Sequence, residues 1–317
     1  MTTAFVFPGQ GSQAVGMGKA LAETFAAARE VLAEVDDALT QPLSRLMFDG
    51  PEEDLTLTVN AQPALMAVSL AVLRVLEREA GLDLKRDVSY VAGHSLGEYS
   101  ALAATGALSV GETARLLRIR GTAMQAAVPV GQGAMAALIG VDAAVAGEIA
   151  AEAAQGQTCD VANDNGGGQT VLSGATAAIA RAIAIAKQRG VKRAVLLPVS
   201  APFHCALMRP AAEAMAEALA EAEIVDPSMP VVANILARPV ATVGEVIGCL
   251  VGQVCGTVRW RESVLWMAEA GVTRFVEIGS GKILSGLVRR ISPGVSSSAV
   301  ATPDDVAAYG KAMSGTA

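Results

Sequence analysis

Asp87-Val88-Ser89-Tyr90-Val91-Ala92-Gly93-His94-Ser95-Leu96-Gly97-Glu98 is the stretch whose reading decides the fold. Residues 88–92 are a short β-rich run that stops at Gly93. Residues 98–108 are alanine-rich and helical in character. Strand, Gly-x-Ser-x-Gly and helix in succession are the layout of a nucleophile elbow, which lifts a serine hydroxyl above the end of a sheet. Gly93 and Gly97 lack Cβ atoms, so strand and helix can close around a serine in a strained backbone conformation. The helix start aims unpaired N–H groups at the place where an oxyanion would form. Ser95 is therefore a candidate nucleophile.

An imidazole base for Ser95 has only two sources, because the 317 residues contain two histidines, His94 and His204. His94 is Ser95's neighbour in extended backbone and is expected to point away from it. His204 follows a strand, in the segment Leu197-Pro198-Val199-Ser200-Ala201-Pro202-Phe203-His204. Catalytic groups on open α/β sheets gather at strand carboxyl ends, so His204 is the expected base. Such a base predicts a kcat/KM that rises with pH through an imidazole-like pKa.

Upstream, Thr3–Phe7 reads as a buried strand ending in Pro8-Gly9-Gln10-Gly11-Ser12-Gln13. As Gly-x-Gly-x-x-Ala this loop resembles a dinucleotide fingerprint, but residues 20–39 look helical where that motif needs a second strand. It lacks the Gly-Lys-Ser/Thr of a phosphate loop. A loop of backbone N–H donors beside an active site, or a plain strand-to-helix turn, remain. Residues 62–80 carry apolar positions at helical spacing and read as a core helix. Residues 110–125 form another helix bearing Arg115, Arg118 and Arg120; arginines there are solvated by default, yet one of them could bind a carboxylate bidentately.

The rhythm changes near residue 128. Strand 134–139, helix 143–154, strand 158–162, strand 170–173, helix 175–189 and strand 193–199 form a βαββαβ unit, the ferredoxin-like pattern, inserted in a larger α/β unit. Strands at 231–235 and 274–278 bring the main unit to about five, mostly followed by helices, which favours a parallel sheet. The tail after Ser292 reads as loosely held.

Apolar residues are 52% of the chain and charged residues 17%, as in a globular protein. A net charge of −7 argues against nucleic acid or an anionic membrane as partner. No membrane span and no signal peptide are expected. Cys159, Cys205, Cys249 and Cys255 form no CxxC pair and no metal-ligand spacing, so reduced thiols and no metal are expected. Lys187, Arg189, Lys192 and Arg193 are a candidate basic patch, or simply a solvated helix end.

Gly9-Gln10-Gly11-Ser12-Gln13, Gly93-His94-Ser95-Leu96-Gly97-Glu98, Arg120 and Pro202-Phe203-His204 together resemble the malonyl-CoA:acyl carrier protein transacylase family, shared with the acyltransferase domains of polyketide synthases. The resemblance runs from Thr3 to about Ile291. It implies an α/β-hydrolase-like core with a mostly parallel sheet (1–127 and 198–317) and an inserted ferredoxin-like subdomain (128–197). It also implies roles: Ser95 as nucleophile, His204 as base, and the Gln10 and Leu96 amides as oxyanion hole. Arg120 would bind the malonyl carboxylate, Met124 would form a pocket wall, and the Gln253 carbonyl would orient His204. Malonyl-CoA would be the substrate and acyl carrier protein, bearing phosphopantetheine, the transient partner. No bound cofactor, a monomer and the cytoplasm are expected with it. Gly167-Gly168 stands where many relatives have Ser-Pro, and Phe203 resembles the malonyl-selective polyketide pattern. A hydrolase using the same Ser-His pair and a binding module with an inert Ser95 are the competing functions.

Overall fold

The computed structural model describes residues 2–313 and 315. Among the described residues, ten strands fall into two sheets. The larger contains β1 (Thr3–Phe7), β2 (Tyr90–Gly93), β7 (Val231–Ala233), β8 (Arg238–Val240), β9 (Arg274–Ile278) and β10 (Ser296–Val300). Its order is β10-β9-β1-β2-β7-β8, and every neighbouring pair is parallel except β7 with β8. β1 is buried along its whole length, as a near-continuous apolar strand covered on both faces must be. Helix Thr58–Glu79 is long and apolar enough to cross a membrane by length and composition, but it is almost entirely buried within this fold.

The smaller sheet contains β3 (Gly133–Ile139), β4 (Cys159–Asp164), β5 (Gln169–Ala175) and β6 (Arg193–Leu196), in the order β4-β5-β3-β6 and antiparallel throughout. Helices Ala143–Ala154 and Thr176–Gln188 pack on it around a separate alanine-rich core that includes Leu138, Ile149, Leu172 and Ile179. This is the ferredoxin-like arrangement that the βαββαβ rhythm predicts. The mixed α/β class with a mostly parallel main sheet is as expected.

Two expectations need correction. The main sheet has six strands rather than about five: β8 is only three residues long and contains Pro239, too short to signal itself. Residues 293–313 are not loosely held; residues 314, 316 and 317 of that tail lie outside the described residues. β10 pairs in register with β9, and helix Pro303–Met313 buries Val306 and Tyr309, the latter edge-on to Phe5 at 6.1 Å. Its polar sequence, Ser296-Ser297-Ser298, suits an edge strand that is half exposed, which is why it read as a tail.

Candidate active site

The elbow is built by close backbone approach. A Cβ on Gly93 would lie 1.8 Å from the Gly97 carbonyl oxygen, and one on Gly97 would lie 2.3 Å from that of Phe7. Only glycine fits either position. Between them Ser95 adopts φ 53°, left-handed for a non-glycine residue, and helix Gly97–Ala104 begins two residues later. The Asn234 side chain, at the end of β7, clamps the turn: its Oδ1 accepts from Ser95 N at 2.7 Å and its Nδ2 donates to Gly93 O at 2.6 Å.

His204 also has positive φ, 59°, and reaches the serine across 109 residues of chain: Ser95 Oγ lies 2.8 Å from His204 Nε2. On the other side, His204 Nδ1 lies 2.8 Å from the Gln253 carbonyl oxygen. A carbonyl can only accept, so Nδ1 carries the proton and Nε2 presents its lone pair to the serine hydroxyl. His204 is buried; burial first, and the nearby Arg120 guanidinium second, pull its pKa down to about 3. The acid limb expected near an ordinary imidazole pKa is therefore displaced to lower pH. His94 turns elsewhere, its Nε2 2.8 Å from Asn165 Oδ1 and its ring 5.6 Å from that of Trp260.

Of the three arginines on helix Val110–Ala126, one faces the site. Arg115 pairs with Glu112 at 2.7 Å and is half exposed, and Arg118 donates to Asn60 Oδ1 at 2.9 Å. Arg120 is 1% exposed. Its Nη1 donates to Gln62 Oε1 at 2.7 Å, and its Nη2 donates to Gln253 Oε1 at 2.8 Å and to Ser95 Oγ at 3.2 Å. Gly121 lets this helix press against the start of helix Thr58–Glu79, since a Cβ there would sit 2.7 Å from Val59 Cα. That contact holds Arg120 deep in the protein. Its burial lowers the guanidinium pKa, the Tyr99 hydroxyl and Glu98 opposing.

These groups open into a cavity of about 420 Å³ that Gln10, Leu96, Met124, Phe203 and Leu287 help to line. Met124 Sδ is 3.9 Å from Gln62 Nε2, and the Gln10 side chain accepts from Thr58 Oγ1 at 2.9 Å. Thus the loop after β1 sits beside Ser95, and two helices, Lys19–Thr24 and Ala26–Leu39, follow it where a dinucleotide site would need a strand. The fingerprint reading of Gly9-Gln10-Gly11 does not hold. Arg189, in the candidate basic patch, is paired with Glu148 and Glu152, while Lys187, Lys192 and Arg193 are exposed.

Sequence reasoning passed over Gln62, Asn234 and Glu98. Glu98 stood inside the decisive stretch, where it read only as a helix start. It is 2% exposed, and its Oε2 accepts from Asn234 N at 2.9 Å and from Gln253 Nε2 at 2.8 Å. Burial pushes its carboxyl up to about 7 against the pull of those donors and of Arg120.

A serine hydroxyl facing an acceptor imidazole, with a buried cation beside it, is equipped for acyl transfer through the serine. The chain belongs to the acyl transferase domain family, whose model matches residues 4–302. Within that family its relatives include malonyl CoA-acyl carrier protein transacylases. It is 44% identical over 304 residues to the one from Bacillus subtilis (strain 168), covering 96% of this chain and 94% of that protein. The crystal structure of the acyl-carrier-protein-S-malonyltransferase from Bartonella henselae superposes with a TM-score of 0.97 at 54% identity, over 99% of this chain and 100% of that one. A malonyl-transacylase solved in complex with a type II polyketide synthase acyl carrier protein superposes with a TM-score of 0.93 at 41% identity, over 97% and 98%.

Proposed function

We propose that this protein moves the malonyl group from malonyl-CoA to the phosphopantetheine thiol of acyl carrier protein through a malonyl-serine at Ser95, supplying extender units for fatty acid synthesis. The observation that carries the reading is the buried Arg120 guanidinium, 3.2 Å from a serine hydroxyl that is itself 2.8 Å from an imidazole. An acyl group ending in a carboxylate matches that pair of features; a neutral acyl group leaves a buried cation without an anion.

In the first half-reaction His204 Nε2 takes the Ser95 proton as Oγ attacks the thioester carbonyl. The Gln10 and Leu96 backbone amides hold the tetrahedral oxyanion, an effect worth about 3 kcal/mol per donor. The C–S bond then breaks, and the imidazolium returns its proton to the leaving thiolate, giving free coenzyme A. In the second half the carrier thiol loses its proton to His204 and attacks the serine ester, and Ser95 leaves with that proton. Gln253 O holds the imidazole in the required tautomer throughout, and Met124 closes the wall of the acyl pocket. The acyl carboxylate also acts on the base. Placed on Arg120, it offsets the cation that depresses His204, so the imidazole becomes more basic once substrate is bound.

Residues 1–127 and 198–317 act as the catalytic core and 128–197 as the small subdomain in this reading. The protein works as a cytoplasmic monomer without a bound cofactor, nucleic acid or membrane. The carrier protein docks transiently, with Lys187, Lys192 and Arg193 as its candidate contacts.

Incubation with malonyl-CoA labelled in the acyl group separates the competing functions. Covalent label that chases onto carrier protein supports transfer. Label released as malonate marks a hydrolase, and no label marks an inert serine.

Arg120→Ala should cost malonyl transfer roughly two to three decades in kcat/KM and raise relative activity with acetyl-CoA, with Lys recovering only part. An unchanged malonyl-to-acetyl ratio would remove Arg120 from substrate recognition. The pH profile follows from the sign of the His204 shift. The base form exists above the pKa, so a depressed pKa leaves kcat/KM flat with respect to this group from pH 5 to 8, with its fall at lower pH. Removing the Arg120 cation raises the pKa and should move that acid limb upward. A wild-type limb near pH 6.5, unmoved in Arg120→Ala, would contradict both statements.

A further inference from the structure

Beneath Arg120 lies a buried acid that does not touch it. Glu98 Oε2 accepts from Gln253 Nε2 at 2.8 Å, and the same amide's Oε1 accepts from Arg120 Nη2 at 2.8 Å. Gln253 Nε2 also donates to the Ser95 carbonyl at 3.1 Å. The orientation of this amide is fixed by what surrounds it. Arg120 can only donate, and the Ser95 carbonyl can only accept. Glu98 adds a second acceptor on the nitrogen side. The amide nitrogen must therefore face Glu98, and its oxygen must face the guanidinium.

We propose that Glu98 is the positioning residue of the acyl-carboxylate site: it sets the Gln253 amide, and the amide aims the Arg120 guanidinium at the acyl group. This goes one step beyond the proposed malonyl transfer and rests on Arg120 reading the substrate carboxylate. The indirect connection has a chemical reason. A carboxylate bonded to Arg120 would occupy donors that the substrate needs. Held one amide away, Glu98 fixes the guanidinium from the Gln253 side, opposite Gln62 on Nη1, without pairing its charge directly. His204 shares no hydrogen bond with this linkage, because it uses the main-chain carbonyl of Gln253 rather than the side chain. Glu98 thus governs which acyl group is taken more than whether Ser95 can be deprotonated.

The test measures kcat/KM for covalent capture of malonyl and of acetyl from their coenzyme A thioesters, in the full chain. Glu98→Gln can place its amide oxygen where Oε2 accepts both donors, so its malonyl-to-acetyl ratio should stay within about threefold of wild type. Glu98→Ala loses the acceptor; its ratio should fall at least about tenfold, with acetyl capture falling much less than malonyl capture. Gln253→Leu keeps the carbonyl for His204 but cuts the link, and should reproduce that fall. The Glu98→Ala/Gln253→Leu double variant should fall no further than the worse single one. Equal losses for both substrates in Glu98→Ala and Gln253→Leu would reduce Glu98 to a structural residue and overturn the proposal. A ratio lost as fully in Glu98→Gln as in Glu98→Ala would overturn it too. Should Glu98→Ala not fold, Gln253→Leu decides alone, since its side chain is the bridge between Glu98 and Arg120. Arg120→Ala is run alongside. If it leaves the ratio unchanged, the carboxylate reading of Arg120 fails and takes this proposal with it. If it lowers the ratio while Glu98→Ala and Gln253→Leu do not, only the role of Glu98 fails.

Discussion

Ser95→Ala should leave the protein folded and unable to acquire an acid-stable malonyl label. The substitution removes one hydroxyl and keeps a Cβ, so the left-handed turn at φ 53° carries the same strain as before. The clamp from Asn234 binds the backbone N–H of residue 95 and the carbonyl of Gly93, neither of which changes. What disappears is the only oxygen placed 2.8 Å from His204 Nε2 among the described side-chain hydrogen bonds. Removing the nucleophile of a serine enzyme typically costs on the order of 10⁶-fold in kcat. Transfer to carrier protein should therefore drop to background. Mass spectrometry of the intact variant after exposure to malonyl-CoA is the check, and a malonyl adduct at wild-type stoichiometry would mean another residue is the nucleophile.

His204→Ala is expected to slow acylation by about 10⁴-fold, the upper end of what a general base contributes. The serine would remain in place beside Arg120, so slow labelling by unassisted attack should persist, unlike in the serine variant. His94→Gln provides the comparison. That side chain can still meet Asn165, and its loss takes no acceptor away from Ser95, so proton transfer should suffer far less. Rapid-mixing measurement of acyl-enzyme formation gives both rates. Similar losses in the two variants would mean that the 2.8 Å contact between Ser95 and His204 is not the one that moves the proton.

Legibility in the sequence varied with the range of the forces involved. The elbow announced itself because its steric demands are local: a strand, two obligatory glycines and a helix within a dozen residues. The small sheet was readable for a similar reason, since its strands alternate with helices at short spacing. Arg120 was different. Nothing in the spacing of Arg115, Arg118 and Arg120 separates them, and only family resemblance singled one out. The discriminating feature is the contact of Gly121 with Val59, made between helices far apart in the chain. Glu98, Asn234 and Gln62 escaped notice because each acts through hydrogen bonds to residues distant in sequence. Gln253 did so for its side chain, which joins Arg120 to Glu98; its carbonyl was expected. The β10 strand was missed because edge strands owe little to apolar patterning.

The separation between Ser95 and His204 along the chain has a consequence for how this protein is made. Synthesis delivers the elbow first, then the whole four-stranded sheet, then the imidazole, and Gln253 after a further 49 residues. β9, which pairs with β1, and the edge strand β10 beyond it come later still. A nascent chain that has not reached residue 204 therefore carries Ser95 with neither its proposed base nor the carbonyl that orients it, above an incomplete sheet. On the proposed mechanism, reactivity requires His204 and Gln253 from the later part of the chain to have docked. A copy that stops short of residue 204 lacks the proposed base and is expected to leave activated thioester untouched.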